Sequence, residues 1–370
     1  MSTVSSSRIS SRIRGEGVST LDPRPKTVLL DCDPGIDDAM AIVDLLARRS
    51  FGEIDIAGIV ATAGNASVED CVASALSWLE LGERTDREQE RRGTDRIPVF
   101  AGASGPIEVE HAFTPETHGE HGRGYAPLVR AARPASSIGG ARAWSEVSRR
   151  FEGELHAVVI GPLSTLAAAL ELDEGIADRL ASLTIMGGSF CGHPGNTTSV
   201  AEWNSHFDPE AAQRVCERFA GRAVVPRWCG QNVTDFAVFT PADITEVLSA
   251  TRGAPVTRAL AAALRFYFEF HDSVGEGYGA KVHDPIAAAL ALEPAAGRWR
   301  PARIDVSTAD PLTRGQSIAE FRPERWFGGV YGSGPRNADV LVDIPGMPGA
   351  GGIDEIIAHW KARHIRWVCG

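Results

Sequence analysis

The sequence predicts an α/β fold with a mainly parallel central sheet and helices on both faces. Strand-like and helix-like patterns alternate along the chain, as expected for parallel strands joined by right-handed crossovers. Several strand candidates are continuous apolar runs rather than alternating ones. That pattern belongs to strands covered by helices on both sides.

The elements follow in order. "TVLLDC" (27–32) reads as a buried strand. After a Pro-Gly turn, Ala39, Ile42, Val43 and Leu46 recur at the i, i+3, i+4, i+7 spacing of a helix face. "IDIAGIVAT" (54–62) is the next strand, with a helix over 67–81. "ELHAVVIG" (154–161) and "SLTIMGG" (182–188) are two more strands. "DPEAAQRVCERFA" (208–220) is a helix with Asp208 as N-cap and Pro209 in its first turn. "AVVPRW" (223–228) reads as a strand, and helical patterns fill about 255–271 and 284–293. Strands near 302–307 and 338–343 and a helix from about Ile353 close the chain.

Residues 1–25 are expected to form a disordered Ser/Arg-rich tail, and 26–370 a single domain. "GERTDREQERRGTDR" (82–96) balances acids against bases and reads as a solvated insertion. The tail lacks the apolar core of a secretory signal. Its composition also fits an organelle transit peptide, but the tail reading and a cytoplasmic location are preferred.

Of 370 residues, 43% are hydrophobic, enough for a large core, and the formal net charge is −11. An acidic surface argues against nucleic acid, whose phosphates need an excess of basic side chains. No apolar run approaches the roughly 20 residues of a membrane span. The 6 cysteines show neither CxxC nor zinc spacing and are expected as buried, reduced thiols.

The chemistry concentrates in "LLDCDPGIDDAMAI" (29–42), which places Asp31, Asp33, Asp37 and Asp38 at the end of a strand. Like charges this close need a cation or a helix N-terminus to hold them. One or two acidic residues suit a helix start, and four do not. Oxygen donors without nearby His or Cys favour Ca²⁺ or Mg²⁺ over zinc. A D-x-D after a strand also occurs in haloacid-dehalogenase-type phosphatases, where Asp31 would be the nucleophile and Asp33 the acid/base. Gly35 stands where that pattern wants Thr or Val, and Asp37–Asp38 would be unexplained.

"DCDPGIDDAMAI" resembles the D-x-D-P-G-x-D-D signature of the nucleoside hydrolases. Further segments agree in order: "TAGN" at Asn65, "VVIGPLSTLA" at Ile160, "MGGSFCGHPGNTTSVAEWNSHFDPEAA", and "KVHDPIAAALAL". Taken alone, each of these residues has a plainer role as turn, cap or core residue. The resemblance implies a nucleoside hydrolase fold that splits ribonucleosides into ribose and free base, with bound Ca²⁺. Its ligands would be Asp33, Asp38, the Ile160 carbonyl and Asp284, with Asp37 as general base and Asp31 orienting the site by hydrogen bonding.

Asn65, Met186, Asn196, Glu202 and Asn204 would meet the ribose, and Trp203 would be a substrate-binding wall. His283 would stand on the base side and supply a proton near neutral pH. "HAFTPETHGEHGRGY" (111–125) has a lid's composition, and its "HGEHG" resembles the family's H-G-E-S-G loop, a resemblance that implies His118 as a second catalytic histidine. "FYFEFHDSVGEGY" resembles a second flexible segment, with Tyr267 and His271 toward the base; relatives more often carry Tyr at His271. His283 before the last Asp, where a purine-specific branch has Trp, points to the inosine–uridine-preferring type. "WCGQNVTD" departs from the family in having Asn232 for Asp. A calcium-stabilised nucleoside-binding protein without turnover is a third reading, unsupported by any lost catalytic residue. The expected partner is the small nucleoside alone, and family habit suggests a homodimer or homotetramer.

Overall fold

The computed structural model describes residues 24–85, 96–110, 112–127, 131–322, 334–346 and 352–370. The expected tail up to residue 23, residues 86–95 of the charged insertion and His111 lie outside the described residues.

Eleven strands are described. Nine form one sheet in the order β10-β9-β11-β6-β5-β4-β1-β2-β3. They are β1 (Lys26–Cys32), β2 (Ile54–Ala61), β3 (Val99–Ala101), β4 (Leu155–Val159), β5 (Leu180–Met186), β6 (Arg227–Cys229), β9 (Arg298–Val306), β10 (Ser317–Glu320) and β11 (Ala338–Asp343). From β3 through β11 each neighbouring pair is parallel, and β9 and β10 extend that edge antiparallel. The remaining pair, β7 (Val238–Phe239) and β8 (Ala280–Lys281), forms a small antiparallel ladder of its own.

β1 shows why the sheet needs two covers. Val28, Leu30 and Cys32 enter one core with Ala39, Ile42 and Val43 of the helix Ile36–Ser50 and with Leu260 and Leu264 of the helix Pro255–Ser273. Leu29 enters the opposite core with Trp144, Leu166 and Val215. Each fully buried Leu or Val side chain is worth about 1.5–3 kcal/mol of transfer free energy.

The expected strand at 223–228 is displaced. β6 runs Arg227–Cys229. Pro226 has no N–H to donate to a ladder, so pairing on both sides begins after it. Asp208 does cap its helix, accepting the Ala211 N–H at 3.0 Å. The cysteine expectation holds for Cys32, Cys71, Cys216 and Cys229, which are buried, whereas Cys191 and Cys369 are exposed; all six are free thiols. Among the described residues, no helix is long and apolar enough to cross a membrane.

β1 is flanked by β2 on one side and β4 on the other, so the chain winds away in opposite directions from the β1/β4 junction. Open parallel sheets bind ligands beyond the carboxyl ends of their strands at such a junction.

Candidate active site

An open pocket of about 670 Å³ lies at that edge. Residues just past the strands, or at their ends, build its floor: Asp33 after β1, Asn65 after β2, Ile160 after β4 and Met186 at the end of β5. All the sequence-predicted site residues line it except Asp31 and Asp38.

The aspartates part company because β1 ends between them. Asp31 is still in the strand, and its carboxylate accepts the Trp144 indole N–H and the Thr62 hydroxyl, both at 2.7 Å. Burial pushes its pKa up to about 7, against the pull of those two donors. This placement counts against the phosphatase reading, which needs Asp31 in the open. Asp33 follows the strand and turns into the pocket. Its Oδ2 accepts the Asn65 backbone N–H at 2.8 Å. A Cβ on Gly64 would come 2.0 Å from that oxygen, and one on Gly161 would come 2.6 Å from Oδ1. Only glycines let two strand-end loops enclose the carboxylate this closely.

Asp37 and Asp38 open the helix Ile36–Ser50. Asp38 reaches back to accept the Gly35 N–H at 2.9 Å and the Asp33 N–H at 3.2 Å, which closes the Pro-Gly turn. Asp37 accepts the His283 N–H at 3.2 Å, joining this helix start to that of the helix His283–Leu292, where Asp284 sits. Carboxylate oxygens of Asp37, Asp38 and Asp284 lie within 4.8 Å of one another. Asp33, expected among the ligands, is outside that trio, while Asp37, expected as base, is within it.

Burial, then the charge of Asp38, raises Asp37 to about 7. Burial lifts Asp38 to about 6 and, with the neighbouring carboxylates, raises Asp33 and Asp284 strongly. Four buried carboxylates with oxygen donors alone fit a hard cation that would let them ionise together.

The ribose-side candidates are held by the backbone. Glu202 caps the turn Trp203–Phe207 and accepts the N–H groups of Gly188 and Asn204 at 2.8 Å and of Ser205 at 3.1 Å. Burial nevertheless raises its pKa. Asn204 donates its amide to the carbonyls of Ile160 (2.9 Å) and Met186 (3.2 Å), so the Ile160 oxygen keeps one lone pair for another partner. Asn196 is exposed at the rim, where its side-chain oxygen accepts the Trp203 N–H at 2.9 Å. Trp203 packs on Phe207 with ring centroids 5.6 Å apart.

The pocket histidines His118, His271 and His283 are buried, and burial lowers the pKa of each. His118 closes the turn Pro115–His118, its Nδ1 accepts the Ile36 N–H at 3.1 Å, and burial drops its pKa to about 3. His283 pairs Nδ1 with the Thr234 hydroxyl at 2.9 Å, and burial lowers it to about 4. Burial thus disfavours the protonated His283 ring, against the expectation that it supplies a proton near neutral pH. Tyr267 stands between His118 and His271, with ring centroids at 5.1 and 4.4 Å.

The sequence reading missed Gln231, Asp235, Glu276 and Lys281, which line the same pocket. Lys281 bridges Asp235 at 3.0 Å and Glu276 at 2.7 Å. Lys281 stands two residues before His283 in a segment already singled out, which was the available signal. Asn232, the family departure, donates to the Leu341 carbonyl at 3.0 Å and ties the turn to β11.

Residues 28–346 match the family model described as inosine-uridine preferring nucleoside hydrolase. The chain is 32% identical over 323 residues to the pyrimidine-specific ribonucleoside hydrolase RihA of Escherichia coli, covering 86% of this chain and 93% of that one. Among solved structures it is similar to a plant nucleoside hydrolase, at 25% identity and TM-score 0.79, covering 92% of this chain and 99% of that chain. A purine-preferring ribonucleoside hydrolase from Gardnerella vaginalis, 23% identical with TM-score 0.77 over 93% of this chain and 99% of that one, shares the fold. A match spanning the strand-end loops that build the pocket leads to one conclusion: the chain belongs to the inosine-uridine preferring nucleoside hydrolase family.

Proposed function

We propose that this pocket hydrolyses the N-glycosidic bond of ribonucleosides, giving ribose and free base, with Ca²⁺ held by Asp33, Asp38, Asp284 and the Ile160 carbonyl. The carrying observation is the meeting of a buried carboxylate floor with the amides of Asn65 and Asn204 and the carboxylate of Glu202. When bound, such a cation supplies the charge that lets these carboxylates ionise together, and Lewis acidity toward substrate oxygens.

The chain's own residues do the rest. Asn65, Asn196, Glu202 and Asn204 orient the ribose hydroxyls, with Met186 and Trp203 against the sugar. Anionic surroundings favour the oxocarbenium-like sugar of the transition state. Asp37 removes a proton from the attacking water, a role typically worth about 10²–10⁴-fold. His118 and His283, as neutral N–H donors, hydrogen-bond the departing base, with Tyr267 and His271 beside it.

One observation favours a second reading of the base. Asp37 accepts the backbone N–H of His283, and that of Asp284 also lowers its pKa, so it is held as a hydrogen-bond acceptor at a helix start. Asp33 also faces the pocket, and the two roles could be exchanged. Ribose release and calorimetric Ca²⁺ titration of Asp37→Asn and Asp33→Asn decide between them. The base variant loses turnover by at least about 10²-fold and still binds metal, while the ligand variant loses metal. If both variants turn over normally, the carboxylate floor is not the catalytic machinery. Family habit suggests a homodimer or homotetramer, which light scattering measures.

A further inference from the structure

We propose that Gln231 reads the hydrogen-bonding edge of the nucleobase and so favours leaving groups that carry such an edge; this rests on the ribonucleoside reading above. Gln231 follows β6 and opens the one-turn helix Gln231–Thr234. Its backbone is fixed by an N–H bond to the Gly188 carbonyl at 2.9 Å. Its side chain lines the pocket, yet the residue is only 2% exposed. The buried Oε1 has no hydrogen-bond partner in the protein.

Buried side-chain polar atoms are nearly always paired, and leaving one unpaired is costly. Because Gln231 lines the pocket, rotation of its side chain brings this unpaired amide oxygen to a donor that arrives with the substrate. Position says which part of the substrate. The same turn carries Thr234, whose hydroxyl holds the base-side His283, and Asp235 follows it on the pocket wall. The ribose hydroxyls already have Asn65, Glu202 and Asn204. A carboxamide offers an acceptor and a donor in one plane. Nucleobases offer the complement, an N–H beside a carbonyl or ring nitrogen, either as a lactam (uracil, hypoxanthine) or as an amino-substituted ring (cytosine, adenine). The amide serves either by rotating, so it demands a polar edge without choosing one base.

The test compares kcat/KM of the native chain and Gln231→Leu on uridine and inosine and on 4-nitrophenyl β-D-ribofuranoside. The last has the same sugar but no N–H edge on its leaving group. Gln231→Leu is expected to lose about 10–100-fold on the nucleosides, as for a site whose buried polar group is left unpaired. On the nitrophenyl riboside it should lose less than about 3-fold, the scale of an indirect packing effect. An equal loss on both substrate types, or no loss on the nucleosides, overturns the inference. Gln231→Met, of similar length without the amide, repeats the comparison if circular dichroism shows Gln231→Leu misfolded. Should the native chain cleave none of the three substrates, the ribonucleoside reading itself fails, an outcome distinct from a silent Gln231→Leu.

Discussion

Asp33 and Asn65 clasp each other across the ends of two adjacent parallel strands. The Asn65 backbone N–H donates to the Asp33 carboxylate at 2.8 Å, and the Asn65 side-chain amide donates to the Asp33 carbonyl at 3.1 Å. The same amide reaches the Asp38 carboxylate at 3.3 Å, so one side chain positions the turn that carries the acidic cluster. Asn65→Ala should lower kcat/KM for ribonucleosides by about 10²-fold, the scale of a 1 Å misplacement of reacting groups. The fold should persist, because the backbone bond to Asp33 survives. Steady-state kinetics with a circular dichroism control measures this, and wild-type kinetics would show the clasp to be idle.

Trp144 bears on the site from the opposite face of the sheet. Its indole N–H is one of two side-chain donors to the buried Asp31. Trp144→Phe preserves most of the packing and removes the donor, leaving a buried carboxylate oxygen unpaired. The expected cost is about 1–3 kcal/mol, seen as a lower urea midpoint at neutral pH. An unchanged midpoint would mean that Asp31 does not depend on that donor.

Metal removal should destabilise the chain. The buried carboxylates have raised pKa values through burial and mutual repulsion. Without a cation, ionising them opposes folding. Chelation should lower the thermal midpoint, and Ca²⁺ at about 100 times its Kd should restore about 2.7 kcal/mol. Differential scanning calorimetry with and without chelator reads the shift. A midpoint indifferent to Ca²⁺ would count against the proposed ligand set.

These contacts divide into what a sequence shows and what it hides. The strand–Pro–Gly–helix passage at 29–42 is local, so its carboxylates were legible as a cluster. Period-two alternation puts Asp31 and Asp33 on one face. Only the end of β1 at Cys32 separates a buried acceptor from a pocket residue. Gln231 and Lys281 are 50 positions apart in the chain, and they share a wall because β7 pairs with β8, Val238 with Lys281. Both strands have two residues, too short to show any periodicity. The histidine pKa values were equally hidden, since they follow from burial by distant segments.

His364 supplies a pH test far from the pocket. Its ring stacks on Trp360 with centroids 5.1 Å apart, Nε2 meets the Thr257 hydroxyl at 2.9 Å, and burial lowers its pKa to about 4. A histidine pKa below its ordinary 6.5 means the folded chain prefers the neutral ring. That stability is full above pH 6.5 and is lost as pH falls toward 4, reaching about 3 kcal/mol. His364→Gln keeps a polar group for Thr257 and cannot titrate, so its unfolding free energy should fall less over this window. Parallel pH dependences in the two chains would refute the assignment.

The most direct measurement is product analysis of the Ca²⁺-loaded chain incubated with inosine, uridine, adenosine and cytidine. Chromatography should find free base and ribose in equal amounts from at least one of the four, without added phosphate. No ribose from any of them with metal loaded would contradict ribonucleoside hydrolysis.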